Sequence, residues 1–581
     1  MTTRNAYPRP ELVRDQWVNL CGEWEFEFDF GKTGKKRGVQ NKAPLDRVIN
    51  VPFCPESKLS GIEYKDFINA CWYRKSITLQ PENGSRTILN FEAAYHKTEV
   101  FVNGAFVGKH EGGYTPFSFD ITDALVAGEN SIAVCCEGDA RNLKQPSGKQ
   151  CERYESYGCY YTRSTGIYAP VWLETVPTAY LKALKLDPDT DSSRLYCEMD
   201  IPAFGEKTVT LTASLAGKTV GSTTVKTTMK HARATIDLDV LSLWSIETPT
   251  LYDLSIEIAC AGKTDRVQSY FGMRKVELDD KCLLINGKRV FQRLVLDQGY
   301  YPEGVYTAPT DESFGKDIEL SQRVGFNGAR LHERVFERRF LYEADKRGYI
   351  VWGEYPNWGF DYTNDANTSI YLREWTEAMK RDYNHPALIG WCPFNETWDI
   401  AGKRQSNEML RTIYEETKRL DPVRPCIDTS GNYHVVTDIY DIHDYNQSPE
   451  AFEKRYSAMT DTEIFENMNK GGIMRQQYAG QPYFISEYGG IKWAAQMENS
   501  VTSWGYGDSP RSIEEYVDRF VGLTRVLMDT KKICGLCYTQ LYDVEQEQNG
   551  VYYYDRTPKF DEEIMDKLAA VLHRKAAIEE E

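Results

Sequence analysis

The sequence predicts a molecule of three parts, in which two all-β sandwiches precede a TIM (β/α)8 barrel. Up to about residue 274, apolar and polar residues alternate with period two, and Gly, Asn and Pro recur at short intervals, as in antiparallel β-domains. After residue 275, short apolar runs alternate with amphipathic stretches of helical period. A length of 581 residues has room for two to four domains of roughly 150 residues each.

Residues 1–178 are predicted to form a jelly-roll sandwich, because their alternating stretches are short and are separated by frequent turn residues. Asn103-Gly104 is the clearest turn, since this dipeptide favours the positive φ angles of a two-residue hairpin loop. Residues 179–274 contain four further alternating stretches and are predicted to form an immunoglobulin-like sandwich. They lack the Cys…Trp…Cys spacing of antibody domains, so the prediction extends only to the sandwich architecture.

Residues 275–581 are predicted to form the barrel. Eight apolar runs are the candidate strands: 290–298, 325–332, 349–356, 388–396, 424–431, 439–445, 482–490 and 533–541. Amphipathic segments lie between most of these runs, for example 336–348 and 371–384. They are predicted to be the helices of the β/α units.

Polar residues end almost every one of these runs, and active sites lie at the carboxyl ends of barrel strands. The residues predicted to face one ligand pocket are therefore Asp297, His332, Glu354, Asn395, Glu396, Asp428, His443, Tyr445, Glu487, Tyr488 and Gln540. Glu396 and Glu487 stand out, because glycoside hydrolysis requires two carboxyl groups beside one bond, a neutral acid and an ionised partner. A solvated loop carboxylate explains either residue alone, whereas the pair favours a catalytic site.

The composition argues against several kinds of partner. The net charge is −17, so no basic surface is predicted for nucleic acid or for an anionic membrane. The sequence has no run of 18 apolar residues and no apolar leader at its amino terminus. We therefore expect a cytoplasmic protein without a membrane span.

The cysteines and histidines predict neither a metal site nor a cofactor. The 14 cysteines are scattered, which is typical of free thiols in a reducing compartment. Cys534 and Cys537 form one CxxC in an apolar setting, and without a second pair they are predicted to be structural residues of a buried strand rather than zinc ligands. The eight histidines include no HExxH motif.

Several longer motifs follow one another in the chain: VFVNGAFVGKHEGGYTPFSFDIT at 100–122, TRSTGIYAPVWLE at 162–174, DYNHPALIGWCPFNE at 382–396 and SEYGG at 486–490. Together they resemble glycoside hydrolase family 2, the family of β-galactosidases, β-mannosidases and β-glucuronidases. The resemblance covers nearly the whole chain. It implies a sugar-binding jelly roll, an immunoglobulin-like domain and a catalytic barrel, with an oligosaccharide or glycoconjugate as substrate. Family members are commonly oligomers, so a homo-oligomer is also implied.

The resemblance implies a retaining exo-β-glycosidase and a role for individual residues. Glu396 is the implied acid/base, and Glu487 is the implied nucleophile that forms a covalent glycosyl-enzyme. Asn395 is implied to bind the sugar 2-hydroxyl, and Tyr445 to hydrogen-bond the nucleophile.

Two aromatic residues and two departures from the family pattern bear on the sugar. Trp504 and Tyr538 are candidates for the sugar-binding face, and core packing is the alternative for each. Many members have His-Tyr-Pro after the second strand, where this chain has residues 332–335. The Asn-x-Lys-Gly motif that binds the carboxylate in β-glucuronidases lacks its Lys near Asn549. The predicted substrate is still an acidic sugar, but its carboxylate is expected to be bound by residues other than that motif. A β-galacturonide is favoured over a β-glucuronide. Arg334 and Arg163 are the candidate carboxylate ligands.

Three alternatives remain open. In the first, the protein is a β-galactosidase acting on neutral β-galactosides, and Arg334 merely pairs with Glu333 or Glu337. In the second, it is a carbohydrate-binding protein whose barrel has no catalytic activity. In the third, the same residues catalyse transglycosylation.

Overall fold

A computed structural model describes residues 4–460, 462–466, 476–494 and 503–580. The first part of the chain is a β-sandwich, as predicted, with strands β1 (Trp17–Asn19), β2 (Gly22–Phe28), β3 (Arg47–Val51), β4 (Ala70–Leu79), β5 (Ser85–Phe91), β6 (Ala94–Tyr95), β7 (Lys97–Val102), β8 (Ala105–Glu111), β9 (Phe117–Asp120), β10 (Gly128–Glu137), β11 (Gly166–Ile167) and β12 (Val171–Pro177). Sheets of order β3-β2-β4-β10-β7-β8 and β1-β12-β5-β9 enclose one core. The turn at Asn103 and Gly104 joins β7 to β8, with positive φ angles of 50° and 82°, so this prediction is confirmed.

The second part is a separate sandwich with its own apolar core. Its strands are β13 (Ala183–Asp189), β14 (Arg194–Asp200), β15 (Lys207–Leu215), β16 (Lys218–Thr227), β17 (His231–Asp237), β18 (Tyr252–Cys260) and β19 (Lys263–Phe271). They form sheets of order β13-β14-β17 and β16-β15-β18-β19. Buried and exposed residues alternate strictly along β14 and β17, because one face of each strand packs on the core and the other meets solvent.

A small antiparallel sheet leads into the barrel, with strands β20 (Val276–Leu278), β21 (Leu283–Ile285) and β22 (Lys288–Val290). The barrel strands are β23 (Gln292–Asp297), β24 (Gly328–Leu331), β25 (Ile350–Glu354), β26 (Leu388–Cys392), β27 (Phe394–Asn395), β28 (Thr429–Ser430), β29 (Tyr440–Asp444), β30 (Tyr483–Gly489) and β31 (Ile533–Thr539). The helices are α1 (Ser313–Val324), α2 (Arg338–Arg347), α3 (Thr368–Asp382), α4 (Asn407–Leu420), α5 (Pro449–Ser457), α6 (Ile513–Asp529) and α7 (Glu562–Leu572).

Seven of the barrel strands form one parallel sheet of order β26-β25-β24-β23-β31-β30-β29. The fifth predicted run, 424–431, fills the gap between β26 and β29. The amide of Trp391 donates to Pro425 O at 3.0 Å, and that of Ile427 donates back to Trp391 O at 2.9 Å. β27 and β28 continue this pairing in parallel. The eight runs therefore follow one another around the barrel, and the fold class is confirmed, while the domain boundaries stay a prediction.

The jelly roll packs directly on the barrel. The amides of Ser147 and Gly148 donate to Trp358 O at 3.0 and 2.9 Å. On α3, the carboxylate of Glu374 accepts the amides of Tyr114 at 2.5 Å and Thr115 at 3.2 Å. The loop between β10 and β11 is thereby held over the carboxyl ends of the barrel strands.

Two further predictions concern cysteines and membranes. Cys534 and Cys537 are fully buried on β31, as expected of structural residues. None of the helices in the described part of the chain is both long and apolar enough to cross a membrane.

Candidate active site

Glu396 and Glu487 meet at the carboxyl ends of the barrel strands. Glu396 follows β27, and Glu487 lies in β30. An oxygen of each carboxylate and a ring nitrogen of His443 all lie within 4.8 Å of one another. The Glu396 side chain is 13% exposed and that of Glu487 only 4%, so Glu396 is the more accessible of the two. Glu396 also adopts a positive φ of 44°, a conformation that side chains other than glycine rarely take outside functional sites.

His443 lies between the two carboxylates. Its Nδ1 is 2.6 Å from Glu396 Oε1 and 3.3 Å from Glu487 Oε2. Its Nε2 lies 2.8 Å from the hydroxyl of Ser430. Burial lowers the pKa of His443, but the charges of Glu487 and Glu396 raise it by more, and the net shift is upward. An upward shift favours the protonated ring, whose positive charge stabilises the Glu487 carboxylate.

Arg330, on β24, holds Glu487 and the neighbour of Glu396 in place by hydrogen bonds. Its guanidinium donates to Glu354 at 2.6 Å, to Glu487 Oε1 at 3.0 Å and to Asn395 Oδ1 at 3.1 Å. The amide oxygen of Asn395 is thus occupied, while its Nδ2 is buried and has no hydrogen-bond partner among the described residues. A buried donor without a partner is costly, so this nitrogen is suited to a ligand oxygen.

Glu487 is held in its ionised form. Burial raises its pKa, but His443, His332 and Arg330 lower it by more, and the result is about 2. The hydroxyl of Tyr445 donates to Glu487 Oε2 and lies 3.1 Å from the hydroxyl of Thr539. Two sides of the Glu487 carboxylate are therefore fixed before any substrate arrives.

The other strand-end residues differ in their distance from the pair. His332 Nδ1 lies 4.0 Å from Glu487 and 3.1 Å from Glu354. Glu354 is saturated by Arg330, His332 and the amide of Glu333, so it acts as a support. Asp297 accepts the hydroxyl of Tyr542 and the amide of Gly299. Burial and the charge of Asp317 raise the pKa of Asp297 to about 6.

The structure does not bring the two arginines singled out as carboxylate ligands to Glu396 and Glu487. Arg334 donates to the carbonyl oxygens of Gly299 and Tyr306 and lies over the ring of Tyr306 at 3.8 Å. It pairs with neither Glu333 nor Glu337 in the described contacts. Two backbone carbonyls take up both terminal nitrogens of this guanidinium, although its Nε has no hydrogen-bond partner among the described residues.

Arg163 is likewise occupied within the jelly roll. It donates to carbonyl oxygens of the 151–154 turn and of Lys65, and it lies over the ring of Phe67 at 4.2 Å. Its role is to close that loop, which corrects the expectation of a carboxylate ligand.

The two aromatic candidates for the sugar-binding face, Tyr538 and Trp504, lie in different surroundings. Tyr538 is fully buried, and its hydroxyl lies 3.3 Å from that of Tyr516 on α6. It belongs to the core outside the barrel, which corrects its assignment to the sugar-binding face. Trp504 packs edge-on against Tyr506, with ring centroids 4.9 Å apart, and Tyr506 stacks on Tyr445 at 3.4 Å. Trp504 is therefore one ring removed from the residue that contacts Glu487.

Sequence reasoning did not single out three residues of this region, Arg330, Tyr506 and Lys149, and it placed His443 at the pocket without giving it a role. His443 and Arg330 were visible as polar residues in barrel strands, but nothing in the pattern showed that they join the carboxylates. The Lys149 ammonium lies 3.8 Å above the ring of Trp358, whose indole nitrogen donates to Asn395 O. A residue so distant in sequence gives no local signal.

The only group of metal-ligand type found among the described residues is Glu396, His443 and Glu487 itself. Contacts of the His443 imidazole with both carboxylates explain why these three groups lie together.

Comparison with known proteins identifies the family. Three family models match: "Glycosyl hydrolases family 2, sugar binding domain" at residues 56–177, "Glycosyl hydrolases family 2" at 179–274, and "Glycosyl hydrolases family 2, TIM barrel domain" at 276–573. A β-galactosidase of Thermoanaerobacter pseudethanolicus is 26% identical, over 77% of this chain and 62% of that protein. A β-glucuronidase of Canis lupus familiaris is 25% identical, over 74% of this chain and 70% of that protein.

This chain spans only part of the curated relatives that it matches, between 54% and 74% of their length. Among solved structures, a β-glucuronidase from Ruminococcus gnavus in complex with D-glucuronic acid shares the fold with a TM-score of 0.78 at 19% identity, covering 99% of this chain and 100% of that one. A β-D-glucuronidase of Dictyoglomus thermophilum gives a TM-score of 0.75 at 21% identity, covering 98% of each chain. With matching models for all three domains, one of which extends over more than half of the chain, this protein belongs to glycosyl hydrolase family 2.

Proposed function

We propose that the protein is a retaining exo-β-glycosidase. One observation carries the proposal: oxygens of two carboxylates lie within 4.8 Å, and one of the two is kept ionised by surrounding cations. Carboxyl groups about 5–5.5 Å apart serve retaining enzymes, whereas inverting enzymes need about 6.5–9.5 Å to admit a water. This separation supports retention.

The proposed reaction has two steps. The Glu487 carboxylate attacks the anomeric carbon and forms a covalent ester, while the bond from that carbon to the aglycone oxygen breaks. Glu396 gives its proton to the departing oxygen. In the second step Glu396 removes a proton from water, the resulting oxygen displaces Glu487, and the sugar leaves with its original β configuration.

Neighbouring side chains support these roles. Asn395 Nδ2 is buried and has no partner within the described part of the chain, so it is suited to the sugar 2-hydroxyl, where a hydrogen bond strengthens in the transition state. Arg330 and Tyr445 bind different oxygens of Glu487, which orients the carboxylate toward the incoming carbon. The jelly-roll loop held on Trp358 covers one side of the pocket, and this suits exo action on a terminal sugar.

The finer proposal is that the sugar is a β-hexuronide. Most of the relatives and fold neighbours named above are β-glucuronidases, so the glucuronide is the better supported hexuronide. The galacturonide stays a prediction of the sequence. A neutral β-galactoside is the second candidate, because a relative of similar identity is a β-galactosidase. Nitrophenyl β-glucuronide, β-galacturonide, β-galactoside and β-glucoside should be compared by kcat/KM.

The catalytic roles are tested with two variants. Glu487→Gln should abolish turnover of every glycoside while binding of the sugar persists, because the amide keeps the shape but cannot attack. Glu396→Ala should lower the turnover of substrates with poor leaving groups most. Added azide should restore the turnover of an activated substrate and yield a β-glycosyl azide. An α-glycosyl azide would exclude retention, and substantial activity of Glu487→Gln would exclude it as nucleophile. A protein that binds sugars but cleaves no glycoside at all would leave only the carbohydrate-binding alternative.

A further inference from the structure

Among the described residues, Lys149 is a buried cation that forms no ion pair. It lies in the jelly-roll loop between β10 and β11 and is only 6% exposed. Within the described part of the chain its ammonium makes no hydrogen bond or ion pair, and it lies 3.8 Å from the centroid of the Trp358 ring. Buried lysines are rare unless they are paired, because a desolvated ammonium needs compensation.

The surroundings of Lys149 tie it to the catalytic pocket. Trp358 donates its indole proton to Asn395 O at 3.1 Å, immediately before Glu396. The amide of Gly148 donates to Trp358 O at 2.9 Å, which fixes the loop on the barrel. A Cβ added to Gly148 would lie 2.6 Å from Glu333 O, so the loop approaches the end of the second barrel strand closely.

The nearby acids do not neutralise Lys149 by contact. The carboxylate of Glu547 is used by the hydroxyl of Tyr161 and the amide of Asn549. Glu333 has one buried oxygen that accepts no hydrogen bond from any described residue, and burial raises the pKa of Glu333 well above its usual range. Burial lowers the pKa of Lys149, yet the acidic groups around it, first Cys159 and then Glu547, raise it by more. Lys149 therefore stays charged.

We propose that Lys149 is the specificity-determining residue that binds the C5 carboxylate of a hexuronide in the catalytic pocket. This inference rests on the proposed function and replaces Arg334 and Arg163, whose guanidinium groups are occupied by carbonyl oxygens. The ammonium is a point charge, which binds a carboxylate without the fixed geometry of a guanidinium. Binding would supply the counter-ion that the buried cation lacks, and Trp358 would support its stem.

The test compares selectivity rather than rate. Lys149→Met should lower the ratio of kcat/KM for a nitrophenyl β-hexuronide to that for the neutral glycoside of the same ring configuration by about ten- to a hundredfold, as expected for one charge-assisted contact. Lys149→Arg, which keeps the charge, should retain most of the ratio. Lys185→Met, which removes another lysine whose ammonium lies over an aromatic ring, that of Tyr383 at 4.4 Å beside the second sandwich, is the matched control and should leave the ratio unchanged.

A binding measurement separates this inference from the proposed function. In the Glu487→Gln background, the affinity for free glucuronate or galacturonate should fall with Lys149→Met by a similar factor, measured by calorimetry. Equal loss for uronide and neutral substrates, or an unchanged ratio, would overturn the role of Lys149 while the glycosidase stands. A wild-type enzyme that cleaves only neutral glycosides would overturn it together with the hexuronide proposal. If Glu487→Gln itself remained active, the catalytic assignment would fail independently.

Discussion

His443 links the two catalytic candidates through one ring nitrogen. Since Nδ1 lies 2.6 Å from Glu396 and 3.3 Å from Glu487, its proton is shared by groups that need opposite protonation states in the proposed reaction. The hydroxyl of Ser430 occupies the other nitrogen and so fixes the ring. His443 is a positioning residue in this scheme, because it acts through the carboxylates.

The charge of His443 should be visible in the pH profile. Burial raises the pKa of Glu487, but His443 is the largest of the groups that lower it to about 2. Because Glu487 must be ionised to attack, the acid limb of kcat/KM follows its pKa. His443→Asn removes the positive charge, so this limb should move to higher pH, toward the ordinary value of 4.5. The measurement is kcat/KM against pH, with His573→Asn as control. A lower rate with an unmoved acid limb would contradict this electrostatic role.

Alternation along β31 separates two neighbouring residues. Tyr538 contacts Tyr516 on α6, outside the barrel, while Thr539 lies 3.1 Å from Tyr445 on the inside. Successive side chains of a strand point to opposite faces. The apolar run predicts this strand correctly, but a difference of one position decides whether a residue faces the pocket or the helix layer.

We therefore expect opposite outcomes from two Tyr→Phe changes. Tyr445→Phe removes the hydrogen bond to Glu487 and should lower kcat by roughly ten- to a hundredfold, because an ionised acceptor makes the stronger bond. Tyr538→Phe removes only the contact with Tyr516 and should change kcat by less than about twofold, with a small loss of stability. Steady-state kinetics on an activated glycoside, with thermal unfolding as a second readout, decides the matter. If both changes lowered kcat equally, Tyr538 would have to be assigned to the sugar-binding face after all.

Docking of the jelly roll on the barrel depends on a buried carboxylate. Glu374 on α3 accepts the amides of Tyr114 and Thr115 with one oxygen and the hydroxyl of Tyr355, at 2.6 Å, with the other. The same stretch of the jelly roll supports the loop of Lys149, since Gln150 donates to the hydroxyl of Tyr114 at 3.1 Å. The pocket is thus complete only when the two domains are joined.

Glu374→Leu should destabilise this junction by about 2–5 kcal/mol, because it leaves several buried donors without an acceptor. Thermal unfolding should begin at lower temperature than in wild type, and protease should cut the jelly roll more readily. Glu374→Gln keeps one acceptor oxygen and should lose less. If Glu374→Leu unfolds at the same temperature as wild type, the carboxylate does not hold the domains together.

Much of this architecture could be predicted from local pattern. Period-two alternation predicted the sandwiches, and apolar runs separated by amphipathic helices predicted eight barrel strands, because both patterns arise from which face of an element is buried. The pairing of Glu396 with Glu487 also followed, since the carboxyl ends of parallel strands meet at one end of a barrel. Those inferences need only the order of residues and the geometry of single elements.

Tertiary structure alone decided which cations serve the pocket. Arg334 and Arg163 lie in segments that the sequence predicts to contribute carboxylate ligands, yet both guanidinium groups donate to backbone carbonyl oxygens. Lys149 had no local signal and reaches the pocket because its loop docks on Trp358. A long side chain can satisfy its charge in several directions, and the choice depends on partners brought near by folding rather than on its neighbours in the chain. The periodicity of a sequence therefore determines where strands end, whereas only the packed domains determine where a cation's charge is left unpaired.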